Sequence, residues 1–270
     1  MEESVIPVVV SGATGKMGRE IVRTILERPD LRLVGALGHG RHLGEDIGEI
    51  TTGQPCGVMV STELEEVMEA ARGGVLVEVS TGVNVKRVVL TAFAHEVACV
   101  VGTSNIPALD DEEMRTTAVN SGKSLLFAPN FALGAVLMMK FSAMAAKYFR
   151  WAEIVELHHE RKLDAPSGTA RRTAEMMVRA RGNAGFRTTP EREESVKGAR
   201  GGNIGGVHIH SVRLPGLLAH QEVMFGNTGE LLTIKHDSSN RESFMAGVVL
   251  AVQAVRNVQG VVNGLESLLD

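Results

Sequence analysis

The stretch VVVSGATGKMG, Val8 to Gly18, limits the fold more than any other part of this chain. It sets Gly12, Gly15 and Gly18 three residues apart, directly after an apolar run and at the mouth of a helix beginning at Lys16. Within that helix Met17, Ile21 and Ile25 recur at i, i+4 and i+8, so one face is apolar. Glycine lets such a turn close tightly and lets backbone approach a pyrophosphate. The helix start adds unpaired N–H groups and a partial positive charge. An ordinary tight turn also uses glycines, but strand, turn and helix in this order favour a dinucleotide site.

The pattern repeats. Leu31 to Leu37, Val75 to Val79, Val97 to Val101 and Leu125 to Ala128 are further apolar runs separated by helix-forming segments. Pro29 ends the first helix, and Thr62 with Glu65 has capping-box spacing ahead of a helix that stops at Gly73-Gly74. This alternation predicts an α/β fold, a Rossmann-like doubly wound parallel sheet with helices on both faces.

After Pro129-Asn130-Phe131 the character changes. A helix from about Leu133 to Tyr148 carries Met138, Met139 and Met144 as core filler. A strand from Glu153 to Leu157 follows, then a helix after Pro166 whose Arg171, Arg172, Arg179 and Arg181 read as a solvated face. Asn183 to Gly206 reads as a long polar loop. VHIHSVRL, HQEVMFG and ELLTIKH read as three strands, with His208 and His210 on one polar face of the first. A last apolar helix spans about Glu242 to Val258. Residues 1–130 are therefore expected to form a dinucleotide-binding domain, completed by the helix within 241–270. Residues 131–240 are expected to form a second, α+β domain with an open mixed sheet.

Composition excludes some partners. Net charge is −4, so no global basic field points to nucleic acid or anionic lipid, and an anionic ligand needs a local pocket. No apolar run is long enough for a membrane span, and Met1 to Val10 lacks the pattern of a signal peptide. Cys56 and Cys99 are few and far apart, which suggests reduced thiols and a cytoplasmic location. Neither has a neighbour that would activate it as a nucleophile.

About 20 residues beyond the glycines, an NAD site would place an acid on the ribose hydroxyls. Here the chain reads Gly38-His39-Gly40-Arg41-His42, and the first carboxylate is Glu45. An acid would repel a 2′-phosphate, whereas His39 or Arg41 could pair with one. NADPH is the expected cofactor, with NADH use open. Ser80-Thr81-Gly82, Gly102-Thr103-Ser104-Asn105 and Ala128-Pro129-Asn130-Phe131 are small polar strand ends expected to line the same crevice.

The other chemical segment is ELHHERKLDAPSGTA, Glu156 to Ala170. Pro166 suits a first helical turn, and Ser167-Gly168-Thr169 leaves backbone N–H groups to hold a carboxylate. His158, His159 and Lys162 add cationic or donor groups just upstream. In an extended strand His158 and Lys162 would stand roughly 13 Å apart, so the chain must curl after His159 for them to converge. The result is a site for an anion, a dicarboxylate by this reading, with a proton source beside it, a role that suits histidine near neutral pH. Paired histidines also serve simply as partners of backbone carbonyls. No H-E-x-x-H helix or cysteine pair accompanies them, so no metal is expected.

The H-H-x-x-K-x-D-A-P-S-G-T segment, with GATGKMG, GTSN, APNF and the closing strands, resembles the 4-hydroxy-tetrahydrodipicolinate reductase (dihydrodipicolinate reductase) family over essentially the whole chain. The resemblance implies an oxidoreductase of the diaminopimelate route to lysine, moving hydride from NAD(P)H to C4 of a cyclic dicarboxylic imine. A proton goes to the neighbouring carbon and water is lost. It implies a homotetramer built by the second, substrate-binding domain. By position in the motif, His158 resembles the family's proton donor and Lys162 its second donor. His159, Ser167, Gly168 and Thr169 resemble substrate contacts. Gly12, Ala13, Thr14, Gly15, Lys16, Met17, Gly102, Thr103, Ser104, Ala128, Pro129, Asn130 and Phe131 resemble cofactor contacts. The chain departs from the family's pattern at Gly38, where an acid is usual. It also has Glu78-Val79-Ser80 for Asp-Phe-Thr, and Ser104-Asn105 within Gly-Thr-Thr-Gly. A short-chain dehydrogenase mechanism needs Tyr-x-x-x-Lys, but Ala152 stands four residues after Tyr148, the one tyrosine. A non-catalytic NADPH-sensing regulator is the remaining alternative.

Overall fold

The computed structural model describes residues 5–40, 42–82, 84–104, 106–189 and 194–269. Two compact units emerge, residues 1–131 with 244–270, and residues 132–243.

The first unit runs β1 (Ile6–Ser11), α1 (Lys16–Leu26), β2 (Leu31–Leu37), α2 (Ile47–Thr52), β3 (Val60–Ser61), α3 (Leu64–Ala70), β4 (Val75–Glu78), α4 (Val85–Ala94), β5 (Ala98–Val101), α5 (Ala108–Ser121) and β6 (Ser124–Phe127). With a late strand β12 (Gly260–Asn263) on one edge, its sheet has the order β12-β6-β5-β4-β1-β2-β3, and every neighbouring pair is parallel. Val75, Leu76 and Val77 of β4 are fully buried, as are Leu125 and Leu126 of β6. Continuous apolar runs of this kind suit parallel strands covered on both faces. Each such side chain contributes about 1.5–3 kcal/mol on burial. Strand order reverses direction at β1, which lies between β4 and β2, and the carboxyl ends there form the crevice.

The second unit contains α6 (Leu133–Ala146), β7 (Trp151–His158), α7 (Gly168–Arg181), β8 (Gly202–Ile204), β9 (Val207–Arg213), β10 (Ala219–Asn227) and β11 (Glu230–Ser238). The order is β11-β10-β7-β9-β8, with β7 and β9 parallel and the other pairs antiparallel. Period-two alternation sets Ala152, Ile154 and Glu156 on the buried face of β7, beside Gln221, Val223 and Phe225 of β10. The chain then returns to the first unit as α8 (Met245–Val255) and β12 (Gly260–Asn263).

Several expectations need correction. The capping box at Thr62 and Glu65 does not form: α3 starts at Leu64, and Ser61 Oγ accepts from the Glu63 N–H at 3.0 Å instead. The last helix is shorter than expected, and the Gly-Val-Val-Asn after it adds a seventh strand beside β6. The expected loop from 183 to 206 contains β8, which pairs with β9. Met138 and Met139 are buried, but Met144 is 57% exposed because it lies on the opposite side of α6. Arg181 is not merely solvated; it donates to the carbonyls of Ala146 and Phe149, which the end of α6 leaves open. His208 is buried with Nδ1 2.7 Å from the Arg200 carbonyl, and His210 Nε2 lies 2.8 Å from Glu153 Oε2.

Candidate active site

In the first unit the glycines act through space as much as through flexibility. Gly12 has φ +80°, and a Cβ there would lie 2.9 Å from the Ser80 backbone. A Cβ on Gly18 would lie 2.1 Å from the Gly12 carbonyl, so α1 can sit on the turn only if position 18 is bare. The N–H groups of Gly12 and Ala13 donate to the Leu37 carbonyl, and that of Gly15 to Gly12. These three amides shape the turn and are not the anion donors that the sequence suggested. Lys16 and Met17 open α1, whose N-cap Gly15 supplies no side-chain cap, and no intrahelical carbonyl can take their N–H groups.

Gly12, Thr14, Gly15 and His39 share one cleft of about 380 Å³ with Ser80, Thr81 and Arg87. Among the described residues no Asp or Glu lines it, and exposed Arg87 on α4 is a cation there that sequence periodicity did not single out. Arg41 and Asn105 lie outside the described residues. Thr103 Oγ donates within 3.2 Å of Glu78 Oε1 and of the Ser80 carbonyl, so this side chain ties together the ends of β4 and β5. Ser104 and Pro129 are exposed and Asn130 is half-buried. Ala128 and Phe131 are buried, and a Cβ on Gly102 would strike the Phe131 ring, so these two side chains serve the core.

In the second unit the segment expected to donate the proton is held by a carboxylate at its own head, Glu156. Glu156 is fully buried on β7, two residues before His158 and therefore on the same face. His158 Nδ1 lies 2.5 Å from Glu156 Oε2. Arg213 on β9, cross-strand from His158, donates to both Glu156 oxygens at 3.1 and 2.8 Å. The Ser167 N–H donates to Glu156 Oε1 at 3.3 Å. Burial alone would raise this carboxyl, but hydrogen bonds from His158, Arg213 and Ser211 outweigh it and hold it at about 2.

The chain does curl after His159: the Lys162 N–H donates to the His159 carbonyl at 3.1 Å. Lys162 Nζ lies 2.8 Å from Asp164 Oδ1, and the His159 ring accepts from the Arg161 N–H. Pro166 does not open the helix. It follows a cis Ala165–Pro166 bond, and Ser167 is the N-cap, with its Oγ accepting from the Ala170 N–H at 3.2 Å. Gly168 is thus the first helical residue, exposed, and a Cβ there would meet nothing within 4 Å. Among the described residues no group of three or more His, Cys, Asp or Glu could hold a metal ion, and no helix is long and apolar enough to cross a membrane.

Comparison with known proteins covers both units. The family model described as "Dihydrodipicolinate reductase, N-terminus" matches residues 6–131, and "Dihydrodipicolinate reductase, C-terminus" matches residues 134–269. A 4-hydroxy-tetrahydrodipicolinate reductase of Desulfitobacterium hafniense is 45% identical over 266 residues, covering 98% of this chain and 99% of the relative. That of Moorella thermoacetica is 45% identical and covers 98% of each chain. The solved structure of a dipicolinate-bound dihydrodipicolinate reductase from Paenisporosarcina sp. TG-14 is 39% identical, with a TM-score of 0.85 over 98% of this chain and 100% of that one.

Proposed function

The chain belongs to the dihydrodipicolinate reductase family, oxidoreductases of the diaminopimelate route to lysine, and from that premise we propose how its own residues perform the reduction of 4-hydroxy-tetrahydrodipicolinate. It uses a pyridine nucleotide, and the residues present fit one: a glycine turn with no room for side chains, the open start of α1, and a cleft beside them. That no Asp or Glu among the described residues lines the cleft carries our choice of NADPH, because His39 and Arg87 can face a 2′-phosphate that a carboxylate would repel. When bound, the reduced nucleotide supplies the hydride, which goes to C4 of the cyclic imine. The Lys16 and Met17 amides at the open start of α1 take the pyrophosphate, which the bare Gly12 to Gly15 turn lets come close, with Thr103, Ser104 and the 128–131 backbone along the nicotinamide half.

His158 gives the proton to the neighbouring carbon through Nε2, since Nδ1 is occupied by Glu156. Water leaves first, as the C4 hydroxyl together with a proton from the neighbouring carbon, and opens a double bond between the two carbons; the hydride at C4 and the proton from His158 at its neighbour then saturate that bond. Gly168 and Thr169 hold a substrate carboxylate at the start of α7, a helix of 14 residues, and His159 contacts the ring. Lys162 is paired with Asp164, but Asp164 is 60% exposed. A pair in that setting is worth at most about 1 kcal/mol, so an incoming carboxylate can draw Lys162 away.

The second unit also builds the assembly, in this reading a homotetramer. Val155 and Leu157 of β7 and Met224 of β10 stand on the sheet face opposite the buried one and are only half-buried, while Leu231 on β11 is 72% exposed. Glu153, Glu222 and Lys235 share that face, and a mixed face with half-exposed apolar side chains is suited to meeting another copy.

The deciding assay follows NADPH oxidation with freshly generated substrate in wild type, His158→Gln and Lys162→Ala. Both variants are expected to fold and bind nucleotide while turnover falls about 100-fold or more. Wild-type turnover in either variant removes that residue from its role.

A further inference from the structure

We infer that Glu156 is the positioning residue of this site, the group that fixes which ring nitrogen of His158 carries the mobile proton. This rests on His158 being the proton donor. Three observations carry it. Glu156 is a fully buried carboxylate on a strand face that it shares with Ala152, Ile154 and His158, where a buried ion stands only if it is paired. Its two oxygens divide the work: Oε2 lies against His158 Nδ1 and Arg213 Nη1, while Oε1 accepts from Arg213 Nη2 and from the amide of Ser167. The same carboxylate therefore grips both the proton donor and the residue that caps α7, where the substrate carboxylate is expected. Ring and helix start are held in one frame.

Arg213 decides what kind of effect to expect. Its Nη1 also donates to the Val212 carbonyl at 2.7 Å and its Nη2 to the Asp164 carbonyl at 2.7 Å. The guanidinium is committed to the frame, pins the 159–166 turn to the sheet, and neutralises Glu156. With the negative charge already balanced, what Glu156 gives His158 is chiefly orientation and tautomer. A carboxylate can only accept, so Nδ1 must keep its proton and the proton that leaves and returns is the one on Nε2. A glutamine has an N–H₂ that can donate to Nδ1 and so allows the opposite tautomer.

The experiment uses the full chain with ¹⁵N-labelled histidine, in wild type, Glu156→Gln and His158→Gln, each with dipicolinate as the substrate-like probe. In wild type the His158 ring is expected to be protonated at Nδ1, and in Glu156→Gln that signature is lost. Turnover of Glu156→Gln should fall about 100-fold while dipicolinate affinity stays within a few-fold, a split in kcat rather than KM. A purely structural role predicts instead that affinity and melting temperature fall with turnover and that the surviving folded fraction keeps the Nδ1 proton. That result, or wild-type turnover, overturns the inference. Unchanged turnover in His158→Gln sinks the donor assignment separately, because the ring signature in Glu156→Gln still reports on Glu156 alone. Should Arg213, left facing a neutral partner, unfold the single variant, Glu156→Gln with Arg213→Gln removes both buried charges and carries the same readouts.

Discussion

A Cβ at position 38 would lie 2.9 Å from Val60 Cγ1 and 3.4 Å from Thr14 Cγ2. No carboxylate can stand at the end of β2 unless Val60, itself 2% exposed, gives way. The absence of the acid is legible in the sequence; its steric reason is not, because Val60 is 22 positions away on a two-residue strand. Arg87 was hidden similarly: on a helix it reads as one more solvated cation, and only the fold turns it into the cleft. Arg87→Ala should raise the KM for NADPH about 10-fold or more, the worth of one charge-assisted hydrogen bond to phosphate, and leave the KM for NADH nearly unchanged. Equal losses with both nucleotides would deny Arg87 a role at the 2′ position. Glu156 stands at the head of the Glu156 to Ala170 segment, but its partner Arg213 is far away in sequence. Its signal was there to read, since it continues an alternation whose other members, Ala152 and Ile154, are apolar.

Long periodic helices and the buried strands of the first sheet were legible because each carries its own hydrophobic repeat. Elements that borrow their stability were not. β12 is four residues long and is a strand only because β6 offers an edge, with Val261 opposite Leu125 and the Ser124 Oγ donating to the Val258 carbonyl at 2.6 Å. α2 is six residues long and stands on one side chain, the 7%-exposed Asp46. The Asp46 carboxylate accepts from the amides of Gly48, Glu49, Cys56 and Gly57. Burial would raise this carboxyl, but the amides of Cys56, Gly57 and Gly48 bring it down to about 2. A carboxyl depressed from 3.8 to about 2 stabilises the fold above about pH 4, and that support drains away as pH falls toward 2. Asp46→Asn should cost about 2 kcal/mol at neutral pH, because an amide cannot satisfy the same ring of donors, and should flatten the acid dependence. Denaturant unfolding at pH 7 and pH 3 measures both, and parallel losses in the two proteins would count against the cap.

For the molecule as a whole, light scattering should give a mass of four chains, about 116 kDa from the 28.9 kDa protomer, and Val155→Glu on the open face of β7 should lower it; a monomeric wild type rules the assembly out. The first unit is made of two stretches of sequence, with all of residues 132–243 lying between them. During synthesis the ribosome therefore releases the whole inserted unit before it has made α8 or β12. Until then β6 is an outermost strand, its row of amides and carbonyls uncovered beside Leu125 and Leu126. The nascent first half must wait, vulnerable to pairing with a neighbouring chain, until the last thirty or so residues arrive to seal it.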